Sequence, residues 1–128
     1  MAILSASLYA NSIQVDLKKK RVYLLNNKGV VVDIMRCLGG RRTHPTPKGV
    51  FKILQKDRNH HSNSYPKKRI AQGKKGAKMK FFVRLTWHGV GFHAGSLRRK
   101  SHGCIHLGWK DAKKLYNFSK FSTKVEVR

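Results

Sequence analysis

Acidic residues are scarce in this chain. Five Asp and Glu stand against 29 Lys and Arg, a formal net charge of +24 over 128 residues. That imbalance disfavours cationic partners and favours a polyanion: nucleic acid, an anionic membrane or an acidic cell-wall polymer. Such binding is salt-sensitive, because exposed charges are screened over about 10 Å at 0.1 M ionic strength. Aromatic residues do not interleave with the basic runs in any recognised nucleic-acid motif, which argues against nucleic acid. Cysteine is scarce too, with two residues in all. A disulfide scaffold is excluded by that number. Cys37 sits in the apolar run Val30 to Leu38 and is expected to be a small buried hydrophobe. Long apolar runs are missing, and none reaches the roughly 18–20 residues that span a bilayer. Met1 to Ala10 is mildly apolar but lacks a basic n-region and a full h-region. It makes a poor signal peptide, although Leu8-Tyr9-Ala10 could be the remnant of one.

The length suits a single domain, 1–128, with no internal repeat and no linker to divide it. Ser12 to Leu17 alternates, with Ile13, Val15 and Leu17 on one face, as a half-buried strand does. Arg21 to Leu25 and Val30 to Leu38 are further strands, joined through the turn residues Asn26-Asn27-Lys28-Gly29. Together they predict an antiparallel meander. His44-Pro45 and Thr46-Pro47 hold a basic loop extended before a strand at Val50 to Leu54. Gln55 to Lys78 shows little hydrophobic pattern and is expected to be a long basic loop. It reads either as solvated surface or as a lid over the site. Lys80 to Leu85 and Val90 to His93 are short strands. Trp109, Ala112, Leu115 and Tyr116 recur at helical spacing, so Trp109 to Phe118 is the one clear helix. Asp111 in its first turn suits the helix dipole. Lys124 to Val127 closes the chain as a strand. Trp87, Trp109, Phe81 and Phe82 are expected in the core, and His44, His60 and His61 in solvated loops.

Chemistry concentrates between Gly91 and Leu107. Ser101-His102-Gly103-Cys104-Ile105-His106 follows a basic spacer after Gly91-Phe92-His93-Ala94-Gly95. A cysteine becomes nucleophilic as its thiolate, and a nearby imidazole can take the proton. His102 lies two residues from Cys104 and could share its side of an extended segment. Gly103 lets the backbone approach a substrate closely, and amides around Gly103 and Cys104 could serve an oxyanion. Cys104 is therefore expected to be a free thiol, unpaired with Cys37. His93, His102, Cys104 and His106 are also zinc-ligand types. Alternate positions on one strand do not close easily into a tetrahedron, however, and the usual second ligand pair is missing. No metal and no cofactor is expected.

At these residues the chain resembles the L,D-transpeptidase catalytic domain (YkuD-like) family. Phe92-His93-Ala94-Gly95 and Ser101-His102-Gly103-Cys104-Ile105 carry the resemblance. Cys37-Leu38-Gly39, Thr46-Pro47-Lys48-Gly49-Val50-Phe51, Asp111-Ala112, Leu115-Tyr116 and Thr123-Lys124-Val125 support it. The resemblance implies a mainly β fold, a β-sandwich of mixed sheets with one main helix. It implies a monomer of the cell envelope acting on peptidoglycan stem peptides. Cys104 would attack the L-centre carbonyl of a diamino-acid residue in a tetrapeptide stem and expel the terminal D-alanine. The thioester would pass to an amine, or to water in a carboxypeptidase. His102 would be the base, His93 an upstream histidine that positions or transfers protons, and Ser101 the group orienting His102. Amides of Gly103 and Cys104 would form the oxyanion hole, and His106, Gly95 and Phe92 would meet the substrate. Where the family commonly has Arg or Asn two residues after the cysteine, this chain has His106, which cannot reproduce the bidentate fork of Arg. The lysines and arginines would hold the protein on anionic wall polymers. By charge alone, a non-enzymatic polyanion-binding module remains the competing reading.

Overall fold

Ile13, Val15, Val22 and Leu24 alternate inward along two strands, β1 (Ser12–Asp16) and β2 (Arg21–Leu25), and all four side chains are buried. These strands pair antiparallel, and β2 pairs in turn with β3 (Val31–Leu38), so the expected meander is present. The computed structural model describes residues 10–128. Residues 1–9, which hold most of the mildly apolar start and the Leu8-Tyr9 part of the signal-like remnant, lie outside the described residues.

The chain continues through β4 (Gly49–Lys52), β5 (Gln55–His61), α1 (Lys67–Ala71), β6 (Lys78–Arg84), β7 (Gly91–Ala94), β8 (Ile105–Leu107), α2 (Trp109–Phe118) and β9 (Lys124–Val127). The strands form one mixed sheet in the order β4-β9-β1-β2-β3-β8-β7-β6-β5. The β1–β9 and β7–β8 pairs are parallel. The sheet curls, and both wings contribute to a single core that holds Ile13, Met35, Val83, Phe92, Ile105 and Val125. The fold is mainly β with α2 as its main helix, as the alternation and the helical spacing predict.

Helix α2 packs against β6, β7 and β8. It buries Ala112 and Leu115, and full burial of a leucine contributes about 2 kcal/mol. Ser119 ends the helix, its hydroxyl donating to the Leu115 carbonyl at 2.6 Å. Among the described residues no helix is long and apolar enough to cross a membrane.

Three expectations are corrected. Gln55 to Lys78 is not one long loop. It supplies β5, the short helix α1 and the first residue of β6. Strand β5 is one of the two edges of the sheet and pairs antiparallel with β6 from Gln55 to His61. Backbone pairing at an edge does not require an apolar face, so the strand carries no alternation for a sequence reading to find. The two tryptophans are not core residues: Trp87 is 71% exposed and Trp109 57% exposed. Trp87 lies beside the Arg84 guanidinium, and Trp109 meets Phe81 edge-on. His60 is not simply solvated. It stacks on Phe82 at 4.4 Å and bonds the Asp57 carboxylate at 3.0 Å.

Candidate active site

Strands β7 and β8 bring the two halves of the chemical stretch together. Their parallel ladder sets His93 opposite His106 and Phe92 opposite Ile105. Side chains alternate between faces along a strand. Phe92, Ile105 and Leu107 point into the core, nearly or fully buried. His93, His106 and Cys104, one residue before β8, take the other face. The expectation that Phe92 meets substrate is therefore corrected: at 1% exposure it is a core residue, on the wrong face of its strand.

The loop that carries Cys104 is clamped by the chain just after β3. The amide of Ser101 donates to the Gly39 carbonyl at 3.2 Å, and Arg41 N–H donates to the Ser101 carbonyl at 2.9 Å. The Ser101 hydroxyl accepts from Gly103 N–H at 3.0 Å and donates to the Cys104 carbonyl at 2.5 Å. Ser101 thus shapes the turn that presents Cys104 rather than orienting His102. The Gly103 amide is already spent inside that turn. Among the described residues, the Cys104 amide has no acceptor of its own. Gly103 takes φ +129, a conformation that side-chain-bearing residues rarely adopt.

Thr46 was quoted from the sequence only as part of a Thr-Pro-x-Gly motif. It proves to be the pin of the loop. Its buried hydroxyl donates to the Gly103 carbonyl at 2.7 Å and accepts from Gly40 N–H at 2.9 Å. Gly40 has no room for a side chain, since an added Cβ would lie 2.0 Å from the His44 carbonyl oxygen. Thr46→Val keeps the shape but strands two buried polar groups. A loss of about 1–3 kcal/mol in denaturant unfolding is expected, with slower chemistry at Cys104. A variant as stable as the parent would show that the pin is dispensable.

The thiol of Cys104 is partly buried and donates to the Gly89 carbonyl at 3.4 Å. Burial pushes its pKa above the usual thiol value, offset in part by a backbone hydrogen bond from Gly91 and by the Arg84 charge. The resting group is a thiol. Cys37 is also free, but it is buried in the core, where desolvation pushes it up to about 11.

His93 has the geometry of a base. It is 7% exposed, and Nδ1 lies 2.8 Å from the Ala94 carbonyl. A carbonyl can only accept, so Nδ1 carries the proton and Nε2 keeps its lone pair. Burial pushes its pKa down to about 4, against the Ala94 bond, which raises it; the His106 and His60 charges lower it further. His106 meets His93 edge-on at 4.7 Å, and its Nδ1 donates to the Ser96 carbonyl at 2.8 Å. Burial lowers its pKa as well. Gly95 sits against the His106 ring, where an added Cβ would stand 2.7 Å from ring carbons.

His102 lies elsewhere. Its exposed ring stacks on Tyr65 at 4.1 Å and meets His44 edge-on at 5.1 Å. Desolvation, then the charges of Arg41, His44 and Lys67, lower its pKa. Tyr65 belongs to residues 62–77, the connection from β5 to β6, so this stack ties that segment to the loop that carries Cys104. The sequence reading took His44 as a solvated loop residue and passed over Tyr65, because nothing local marks a contact made across the fold. Among the described residues no group of three His, Cys, Asp or Glu is placed to hold a metal ion.

The buried neutral imidazole makes stability depend on acid. The folded pKa of His93, about 4, lies below the ordinary 6.5. Its contribution is complete above pH 6.5 and is lost as pH falls through the folded value, because the unfolded chain binds the proton first. That window corresponds to about 3 kcal/mol. Denaturant midpoints should therefore fall between pH 7 and pH 4, and His93→Gln should flatten the slope. An unchanged slope in that variant would place the acid sensitivity on other groups.

The L,D-transpeptidase catalytic domain (YkuD) family model matches residues 10–127. Among solved structures, an L,D-transpeptidase from Mycobacterium tuberculosis H37Rv superposes with a TM-score of 0.78 at 25% identity, over 93% of this chain and 57% of that one. An L,D-transpeptidase from Mycobacterium smegmatis gives 0.79 at 22% identity, over 92% and 58%. L,D-transpeptidase 3 from Mycobacterium tuberculosis, in complex with a faropenem-derived adduct, gives 0.75 at 23% identity, over 93% and 60%. The chain thus spans less than two thirds of the length of these relatives. A search of curated proteins returned no match. With the match running nearly end to end and the fold shared, the chain belongs to the L,D-transpeptidase catalytic domain family.

Proposed function

We propose that this protein catalyses acyl transfer on peptidoglycan stem peptides in the cell envelope, through a thioester on Cys104. The observation that carries the reading is a partly exposed thiol on the same strand face as a neutral histidine with a free Nε2. Cys104 attacks the carbonyl of the L-centre of the diamino-acid residue. Sγ–C forms, the thiol proton passes to His93 Nε2, and the Cys104 amide donates to the developing oxyanion. Collapse breaks the C–N bond, and the proton on His93 leaves with the amine of D-alanine. An acceptor amine then gives its proton to Nε2 as it attacks the thioester, which restores the thiol. Water in place of the amine gives carboxypeptidase products.

In this reading the base is His93, and His102 forms part of the wall. Ser101, Gly103 and Thr46 hold the loop in which the nucleophile sits. Both reacting groups rest neutral, so the thiolate forms only as the proton moves. Incubation with a purified disaccharide tetrapeptide, followed by mass spectrometry, tests the reaction. Release of D-alanine with a cross-linked, exchanged or hydrolysed product supports it, and an unchanged substrate rejects it.

Segment 62–77 acts as a cover, on the strength of the Tyr65–His102 stack. Alkylation of Cys104 by iodoacetamide reads both the thiol and its cover. Its rate should climb about tenfold per pH unit through pH 9 without levelling, because the thiol titrates above its usual range. Tyr65→Ala should speed alkylation at every pH. A plateau near neutrality would mean an ion pair at rest, and an unchanged rate in Tyr65→Ala would remove the cover.

A further inference from the structure

Arg84 stands in line with the thiol across the sheet. Register sets Gln55 of β5 opposite Arg84 of β6, and Arg84 opposite Gly91 of β7. One step before the β7–β8 pair Phe92–Ile105, Gly91 comes beside Cys104, and the Gly91 backbone bonds the sulfur there. Val83 and Leu85 point into the core. Arg84, between them, therefore takes the opposite face, the one that carries Cys104 and His93. Gly91 sends no side chain into this row. The Phe82 ring fills that place, its edge 2.8 Å from where a Cβ would stand. The Arg84 guanidinium lies over the same ring at 5.0 Å.

The guanidinium is held but not neutralised. Its Nε donates to the Gln55 side-chain carbonyl at 2.7 Å, and Nη1 donates to the Thr86 carbonyl at 3.4 Å. The exposed Trp87 ring lies 5.5 Å from it. The turn that carries Trp87 also supplies the Gly89 carbonyl that accepts from the thiol, so guanidinium, indole and sulfur border one surface. Gln55, directly opposite Arg84, is neutral. Asp57, two residues further along β5, bonds His60 instead. Among the described residues no carboxylate pairs with Arg84, and its Nη2 donors have no acceptor. His93 and His106 add no charge here, since each commits Nδ1 to a backbone carbonyl and burial keeps it neutral. A partly buried, unpaired guanidinium on the reacting face fits a carboxylate, which it holds by short charge-assisted N–H bonds.

Two strand spacings, about 10 Å, separate the Arg84 and Cys104 backbones. One residue spans about 3.8 Å. With the attacked carbonyl at the sulfur, the carboxylate nearest to it along the stem is that of the terminal D-alanine, one residue on, in the interval between sulfur and guanidinium. The geometry points to Arg84 as the residue that holds this C-terminal carboxylate, with Trp87 bracing the guanidinium, so that the protein selects stems that end directly after the scissile bond. This deepens the acyl-transfer reading and rests on it.

Binding is the readout, so turnover is not required. The full chain with Cys104→Ala is titrated by calorimetry with two tetrapeptide stems that differ only at the C-terminus, D-alanine against D-alaninamide. The acid is expected to bind about tenfold more tightly, the low end for a hydrogen bond to a charged group because Arg84 is partly exposed. In the same protein carrying Arg84→Met the ratio should fall to about one, while the amide stem binds as before, which shows that the variant is folded. Arg84→Lys, which keeps the charge without the fork, should hold the ratio between those values. The ratio is insensitive to the effect of Arg84 on the thiol, since that effect is common to both stems. Equal binding of the two stems, a preference that survives Arg84→Met, or no binding of either stem overturns the subsite. Release of D-alanine by the parent chain, scored separately, reports the acyl-transfer reading, and it stands or falls whether or not the two stems bind alike.

Discussion

With Cys104 replaced by alanine, release of D-alanine from a tetrapeptide stem is expected to fall by about a thousandfold or more, because the step loses its nucleophile. The fold should survive. Cys104 is only partly buried, and its side chain makes only weak sulfur hydrogen bonds, to the Gly89 carbonyl and from the Gly91 backbone. No neighbouring hydroxyl can take over. Ser101 lies nearest in the chain, but its oxygen accepts from Gly103 N–H and its proton is given to the Cys104 carbonyl. The parent protein should gain the mass of a carbapenem and the variant should not. That expectation follows from chemistry, because the strained carbonyl of a β-lactam is open to the same thiol attack as a peptide carbonyl. Cys37 provides an internal control, since its buried thiol, pushed up to about 11, should stay unmodified in both. Turnover that persists in the variant would move the nucleophile elsewhere and remove the reading as a whole.

The second large effect is expected at His93. Loss of a general base typically costs a factor of 10² to 10⁴, so His93→Ala should lower kcat/KM by about that much. His102→Ala should cost far less, because that ring stacks on Tyr65 at the rim. The contrast matters, since the family resemblance implied His102, two residues from the thiol, as the base. A free-enzyme pKa of about 4 for His93 also predicts an acid limb of kcat/KM far below neutrality. If His102→Ala proved the more damaging substitution, the assignment of the base would be reversed.

Much of this molecule was legible before folding was considered. Ile13, Val15, Val22 and Leu24 marked β1 and β2 by alternation, and Trp109, Ala112, Leu115 and Tyr116 marked α2 by helical spacing. The edge strand β5 was not legible, because Gln55 to His61 is held by pairing with β6 and carries polar side chains throughout. The exposed tryptophans misled for a related reason. An aromatic residue carries a strong prior for burial, while the neighbours that leave it at the surface lie elsewhere in the chain.

By itself, the order of residues determined that this is a basic, mainly β domain with one plausible sulfur nucleophile among glycine and histidine. Those features depend on residue type and short-range spacing, which a linear reading contains. Only the tertiary structure decided that His93 shares a strand face with Cys104 while His102 stacks on Tyr65, which amide is left without an acceptor among the described residues, and that Thr46 pins the loop from across the sheet. Each of these turns on which face a strand presents and on hydrogen bonds between segments far apart in the chain.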